Sequence, residues 1–408
     1  MKCIRGWRLF TLLVASALVF NFLCSASASA EAKETVLYSF GCGTDGCGPS
    51  GNLARDSQGN LYGTSADGGC CGTVFELTPV QGGGWSESVL HAFTGGTDGA
   101  NPYSGVVMDA SGNLYGTTDQ GGTGSNCQGG SDGCGTVFKL THSGSTWTES
   151  VLYSFSGGTD GAGPVAGVVF DKSGNLYGTT QFGGPSSPGY GIAFELSPSS
   201  EGWNEVVLHS FDYTDGAYPN TKLAIDNRGD LYGTTSIGGS YENGTVFRLA
   251  PSQGGWVETT IWEFTPAIGS AGPNGVIVHG DVLYGTTLEG GASSVGNVFQ
   301  LTPAVGPWTY TDIYDFTGGR DGGNPFAGVT ADPSHLYGTT NWGGRFELGT
   351  VFRLTHEGNG TWTEDVLYNF TGSTDGENPY SPLLLGPNGL FGFANIAPGG
   401  LVYEITAP

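Results

Sequence analysis

Apolar and polar residues in this chain alternate in short runs of period two, and almost nowhere do they recur at helical spacing. The stretch from Gly105 to Phe155 shows the unit. Gly105 to Asp109 is a short apolar run, Ala110 to Asn113 carries turn residues, and Leu114 to Thr118 is rich in strand formers, so the three read as a hairpin. After a Gly-Gly loop from Gln120 to Gly135, Thr136 to Leu140 alternates as a half-buried strand does, and Trp147 to Phe155 supplies a fourth strand. The 75 glycines and 20 prolines break any helical pattern beyond the first thirty residues.

This unit repeats. Leu-Tyr-Gly-Thr begins at Leu61, Leu114, Leu176, Leu231, Leu283 and Leu336, and an eroded copy begins at Leu390, at intervals of 53, 62, 55, 52, 53 and 54 residues. A period near fifty with four strand runs is what one propeller blade requires. The third-strand motif also occurs seven times, from Val74-Phe75 to Val402-Tyr403, but the last copy has no fourth strand after it. The missing strand stands at the other end, where residues 34-40 match Glu149 to Phe155 almost letter for letter. The expected fold is all-β: a seven-bladed β-propeller of four-stranded blades, closed by the N-terminal strand completing the C-terminal blade. Such closure covers two sheet edges that would otherwise be open.

Residues 1-30 read as a secretory signal, with Lys2, Arg5 and Arg8 before an apolar run and Ala28-Ser29-Ala30 as a small-residue cleavage site. Residues 31-408 are then one propeller domain, exported to the periplasm or beyond, with no membrane span and expected as a monomer. The formal net charge of -24 opposes phosphate backbones and anionic membranes, which argues against a nucleic-acid partner. Six cysteines remain after the signal, an even count that suggests disulfides in an exported chain. All six fall in loops on one face. Cys127 and Cys134 share the enlarged loop and are expected to pair, whereas Cys70 and Cys71 are expected to cross-pair with Cys42 and Cys47, because a bond between adjacent cysteines is strained.

Asp-Gly-x-x-Pro opens six of the seven periods, with Asp45, Asp98, Asp160, Asp215, Asp321 and Asp375; the fifth period has Gly269 there. The favoured reading is a turn in which each carboxylate accepts backbone N-H groups. Calcium bound by these carboxylates is the alternative, and no other cofactor is expected. Function is sought where the copies differ. Tyr103, Phe326 and Tyr380 follow the prolines, Gln120 and Trp342 precede the Gly-Gly pairs, and Tyr218 and Arg345 join them on the cysteine-bearing face. Aromatic rings beside amides and charges suit a neutral sugar or an envelope protein. A hydrolase or lyase needs two carboxylates across a funnel, for which Glu289 and Glu347 are the weak candidates. No nucleophile elbow, metalloprotease helix or phosphate loop is present.

The blocks Gly-Asn-Leu-Tyr-Gly-Thr-Thr, Gly-Thr-Val-Phe-x-Leu-Thr and Val-Leu-Tyr-Ser-Phe resemble the GloVer (Gloeobacter/Verrucomicrobia) tandem repeat of exported bacterial proteins, over about residues 34 to 408. The resemblance implies export and repeat architecture and brings no activity with it. The leading expectation is therefore a non-catalytic binding module for a glycan or envelope partner. A polysaccharide-cleaving enzyme and a protein-docking scaffold are the alternatives.

Overall fold

A computed structural model describes residues 32–127, 133–144, 146–186, 188–266, 272–358 and 360–406. The signal-like segment, Gly269 and the tip of the enlarged loop lie outside these residues. Seven four-stranded antiparallel sheets form a ring, and the described residues contain no α-helix. Blade one comprises Cys47–Arg55, Leu61–Asp67, Thr73–Pro79 and Trp85–Ala92, paired in chain order from the axis outwards. Blade two starts at Val106, blade three at Val169, blade four at Ala224, blade five at Pro273 and blade six at Thr330. Blade seven joins Leu384–Leu385, Leu390–Ala394 and Leu401–Thr406 to the N-terminal strand Lys33–Ser39, with Lys33 opposite Thr406. The expected closure is thus present.

The repeated letters each have a packing role. In blade two, Asp109 Oδ1 accepts the N-H groups of Ser111 and Asn113 at 2.8 and 2.9 Å, while Oδ2 accepts from the Asn113 amide and the Tyr115 hydroxyl at 2.7 and 3.0 Å. One carboxylate therefore ties the hairpin turn to the tyrosine of Leu-Tyr-Gly-Thr, and an ion is not needed to explain its spelling. The glycine of that motif is required by close approach: a Cβ on Gly116 would stand 2.6 Å from the Phe138 ring opposite it. Blade seven, with Phe391 in place of tyrosine, has also lost the aspartate of the turn.

The core runs around the ring as a chain of edge-to-face aromatic contacts. The phenylalanine that follows each fourth strand packs on the third-strand aromatic of the next blade, from Phe40 on Phe75 at 5.0 Å to Phe370 on Tyr403 at 5.2 Å. These rings are fully or almost fully buried. Each contact adds about 1 kcal/mol to area burial, and the same contact recurs at all seven junctions.

The cysteines need one correction. Cys127 pairs with Cys134 across the enlarged loop, but Cys42 pairs with Cys47, and Cys70 and Cys71 are free. The chain reverses between Gly43 and Gly46, which brings Cys42 and Cys47 to a Cα separation of 4.4 Å within one short loop. Cys70 and Cys71 turn the other way, towards the Phe93 carbonyl and Gly95. Local chain reversal therefore decides the pairing that loop counting had distributed between two loops.

Candidate functional site

The six aspartates of Asp-Gly-x-x-Pro sit between blades. Each has donors from its own turn: Asp45 accepts from the N-H groups of Gly41 and Gly43 at 2.7 and 3.0 Å, and Asp375 from the N-H and hydroxyl of Thr371 at 2.9 and 2.6 Å. Burial works to raise Asp45, Asp98 and Asp375, but these donors outweigh it and hold all three below the usual carboxylate value. Each aspartate also meets a side chain of the preceding fourth strand. That partner is a tyrosine hydroxyl at Tyr38, Tyr153, Tyr314 and Tyr368, at 2.8 to 3.3 Å, and a histidine at His91 and His209.

A glutamate of the next blade completes each junction. Glu34, Glu87, Glu149, Glu205 and Glu364 are raised to about 7, first by burial and then by the charge of the facing aspartate. In all five, Oε1 is buried without a hydrogen-bond partner. The junction between blades four and five departs from this scheme. There Trp262 stacks on Tyr310 with centroids 4.9 Å apart and planes 13° apart.

The residues singled out on the cysteine-bearing face fall into three settings. Tyr103, Phe326 and Trp342 are 40, 52 and 42% exposed, and Gln120 is exposed beside Ala100, with which its backbone bridges. Arg345 lies over the Phe346 ring at 5.3 Å. Tyr380 is instead half-buried and donates its hydroxyl to the Pro49 carbonyl at 2.5 Å, linking blade seven to blade one. Tyr218 packs among Phe182 and Tyr190 at 5.7 and 6.0 Å. Glu289 and Glu347 are exposed on loops of separate blades.

The opposite face carries a groove of about 500 Å³ between blades five and six. Tyr284 and Trp362 meet in it at 5.8 Å, and His279, His335, His356, Gln300 and Ser334 also line it. Its one lining carboxylate is Asp332. Burial would raise Asp332, but the N-H groups of Ser334 and His335, the His335 ring and the Tyr337 hydroxyl together hold it down at about 2.

Tyrosine-tryptophan contacts of this kind recur at four other junctions, such as Tyr62 with Trp147 at 6.1 Å. The difference lies in the turn. Blade five replaces Asp-x-x-Gly-Asn by the tight hairpin His279-Gly280-Asp281-Val282, with His279 paired to Val282. Tyr284 thereby loses the covering carboxylate, and it is half-buried where Tyr62, Tyr115, Tyr177 and Tyr232 are buried. Three of the six histidines in the chain lie in this groove. The signal was available: first-to-second and third-to-fourth strand turns of neighbouring blades emerge on one face.

A sequence profile described as the Gloeobacter/Verrucomicrobia repeat matches residues 123–317 and 257–408. No curated protein matches the chain. Among solved structures, a putative 6-phosphogluconolactonase from Bacteroides uniformis is 17% identical, with a TM-score of 0.48 over 77% of this chain and 84% of that one. A putative oxidoreductase (glucose dehydrogenase) from Thermus thermophilus is 14% identical, with a TM-score of 0.41 over 92 and 99%. The calcium structure of a Trichoderma reesei carbohydrate-active enzyme of family AA12 is 12% identical, with a TM-score of 0.42 over 93 and 96%.

Proposed function

The chain belongs to the Gloeobacter/Verrucomicrobia repeat family, and from that premise we propose that it is an exported, non-catalytic module that binds a neutral saccharide in the groove between blades five and six. The observation that carries this reading is the uncovering of Tyr284, beside Trp362, where the turn of blade five is shortened. Aromatic faces cover the C-H surfaces of a pyranose, and Gln300, Ser334 and the three histidines offer donors and acceptors to its hydroxyls. The acidity of the chain disfavours an anionic ligand. Asp332 supports binding over hydrolysis, because it is the groove's one carboxylate and is committed to its turn, whereas glycoside cleavage uses two. Export is supported by the basic-apolar start and by the two disulfides.

The test is a pull-down on a panel of insoluble polysaccharides, with released reducing ends measured in the same tubes. The expected result is retention without release, lost at least tenfold in Gln300→Ala and Trp362→Ala variants that keep the wild-type far-UV spectrum. Release of sugar would overturn the non-catalytic reading. Loss of binding in a Tyr103, Phe326 and Trp342 triple alanine variant, with the groove variants unaffected, would move the site to the cysteine-bearing face.

A further inference from the structure

The junction between blades three and four holds a set of side chains found in this geometry nowhere else among the described residues. His209 Nε2 stands 2.7 Å from Asp215 Oδ2, and a ligand atom of each of His209, Asp215 and Glu258 lies within 4.8 Å of the other two. Three rigid elements supply them: the fourth strand of blade three, Gly202–Ser210, the loop entering blade four, and the fourth strand of blade four, Gly255–Glu263. His209 and Asp215 side chains are 21 and 20% exposed, so solvent reaches the cluster from one side.

We propose that His209, Asp215 and Glu258 form a binding site for one divalent transition-metal ion of borderline softness, such as zinc. An imidazole nitrogen with two carboxylate oxygens is a donor set that zinc accepts, with water completing four-coordination. The calcium reading of the repeated aspartates does not predict this: calcium takes oxygen ligands and would favour all six turns alike, whereas the nitrogen donor occurs at two junctions only. At the second of these, His91 Nε2 stands 3.4 Å from Asp98, and Glu149 does not close the triad to the same distance.

Charge supports the assignment. The cluster places two carboxylates, Asp215 and Glu258, beside a single imidazole. Two facing carboxylates in a partly buried junction repel unless a proton or a cation lies between them, and of the five other glutamates only Glu149 shares its junction with an imidazole, that of His91, where the triad does not close. On binding, the Nε2 lone pair must face the ion. The proton that Nε2 shares with Asp215 then moves to Nδ1, and any proton on Glu258 goes to solvent.

The experiment uses the full chain after chelator treatment, titrated with cobalt(II) and with zinc(II). The expected result is visible absorption of cobalt in a four- or five-coordinate site, displaced by zinc, with one equivalent lost in His209→Tyr. Tyrosine occupies that position at four other junctions, so this variant keeps the fold while removing the nitrogen donor. Glu258→Gln should weaken zinc at least tenfold, and His91→Tyr should leave it unchanged. Binding that is unchanged in both His209→Tyr and Glu258→Gln overturns the proposal, as does the absence of a cobalt spectrum in the wild type.

Discussion

Two neighbouring junctions, blade three against four and blade four against five, solve the same packing problem with opposite chemistry. The first places His209, Asp215 and Glu258 together, and the second stacks Trp262 on Tyr310. The backbone is alike in both: His209 and Trp262 occupy the same strand position, as do Glu258 and Tyr310, and both junctions close beneath on a phenylalanine pair, Phe211 with Phe247 and Phe264 with Phe299. The aromatic core therefore carries the geometry of the ring, and the layer above it is free to be ionisable or apolar. This freedom is what a repeat protein can use for function without risking its fold.

The largest effect should come from breaking the apolar junction. Trp262→Ala removes a stacked ring and is expected to cost about 3 kcal/mol in urea unfolding. A loss under about 1 kcal/mol would mean that the stack contributes no more than a surface contact.

The next effect is pH dependence, to which the glutamates of the charged junctions should contribute most. Glu34, Glu87, Glu149, Glu205 and Glu364 stand at about 7 when folded against 4.5 ordinarily. A raised folded value favours the protonated folded state, so the stability these groups contribute is complete below about pH 4.5 and is lost as pH rises through about 7. Asp45, Asp98 and Asp375 act in the opposite sense, and their contribution is lost as pH falls below the ordinary carboxylate value. His91, lowered first by burial despite the charge of Asp98, also opposes the glutamates as pH falls through about 6.5, but it is one group against five. The melting temperature should therefore peak near about pH 4 to 4.5 and fall as pH rises towards about 7. A triple Glu87→Gln, Glu149→Gln and Glu364→Gln variant should flatten that fall, and an unchanged slope would assign the pH dependence elsewhere.

A smaller loss, about 1 kcal/mol, is expected for Asp215→Asn, which keeps the shape of the turn but weakens the bonds from the Asp212 N-H and His209. Calorimetry at pH 7 without added metal would measure it. The smallest change should be that of Glu258→Gln, within about 0.5 kcal/mol without metal, because removing a charge that faces Asp215 offsets the lost interactions. If this variant proved as costly as Trp262→Ala, the charged junction would be as rigidly specified as the stacked one.

Much of the molecule could be read from the chain because it depends on repetition. The six intervals and the match of residues 34-40 to Glu149 through Phe155 lead directly to the blades and their closure. The pairing of Cys42 with Cys47 could not be read this way, since it follows from one reversal at Gly43 to Gly46. Tyr380 illustrates the same limit: by position it belongs to the variable series at the funnel, but its hydroxyl is spent on Pro49, 331 residues away. The groove depended on a loss. Shortening one turn of blade five uncovers Tyr284 and makes room beside His335 and His356, which stand in another blade.

The sequence by itself determined the strand order, the blade count and the closed ring, because alternation and turn chemistry are local and each repeat restates them. Tertiary structure alone decided which side chains meet across blades: His209 with Glu258, Trp262 with Tyr310, and three histidines around one groove. Such contacts join residues about fifty positions apart through the twist and register of two separate sheets, and no local pattern encodes that distance.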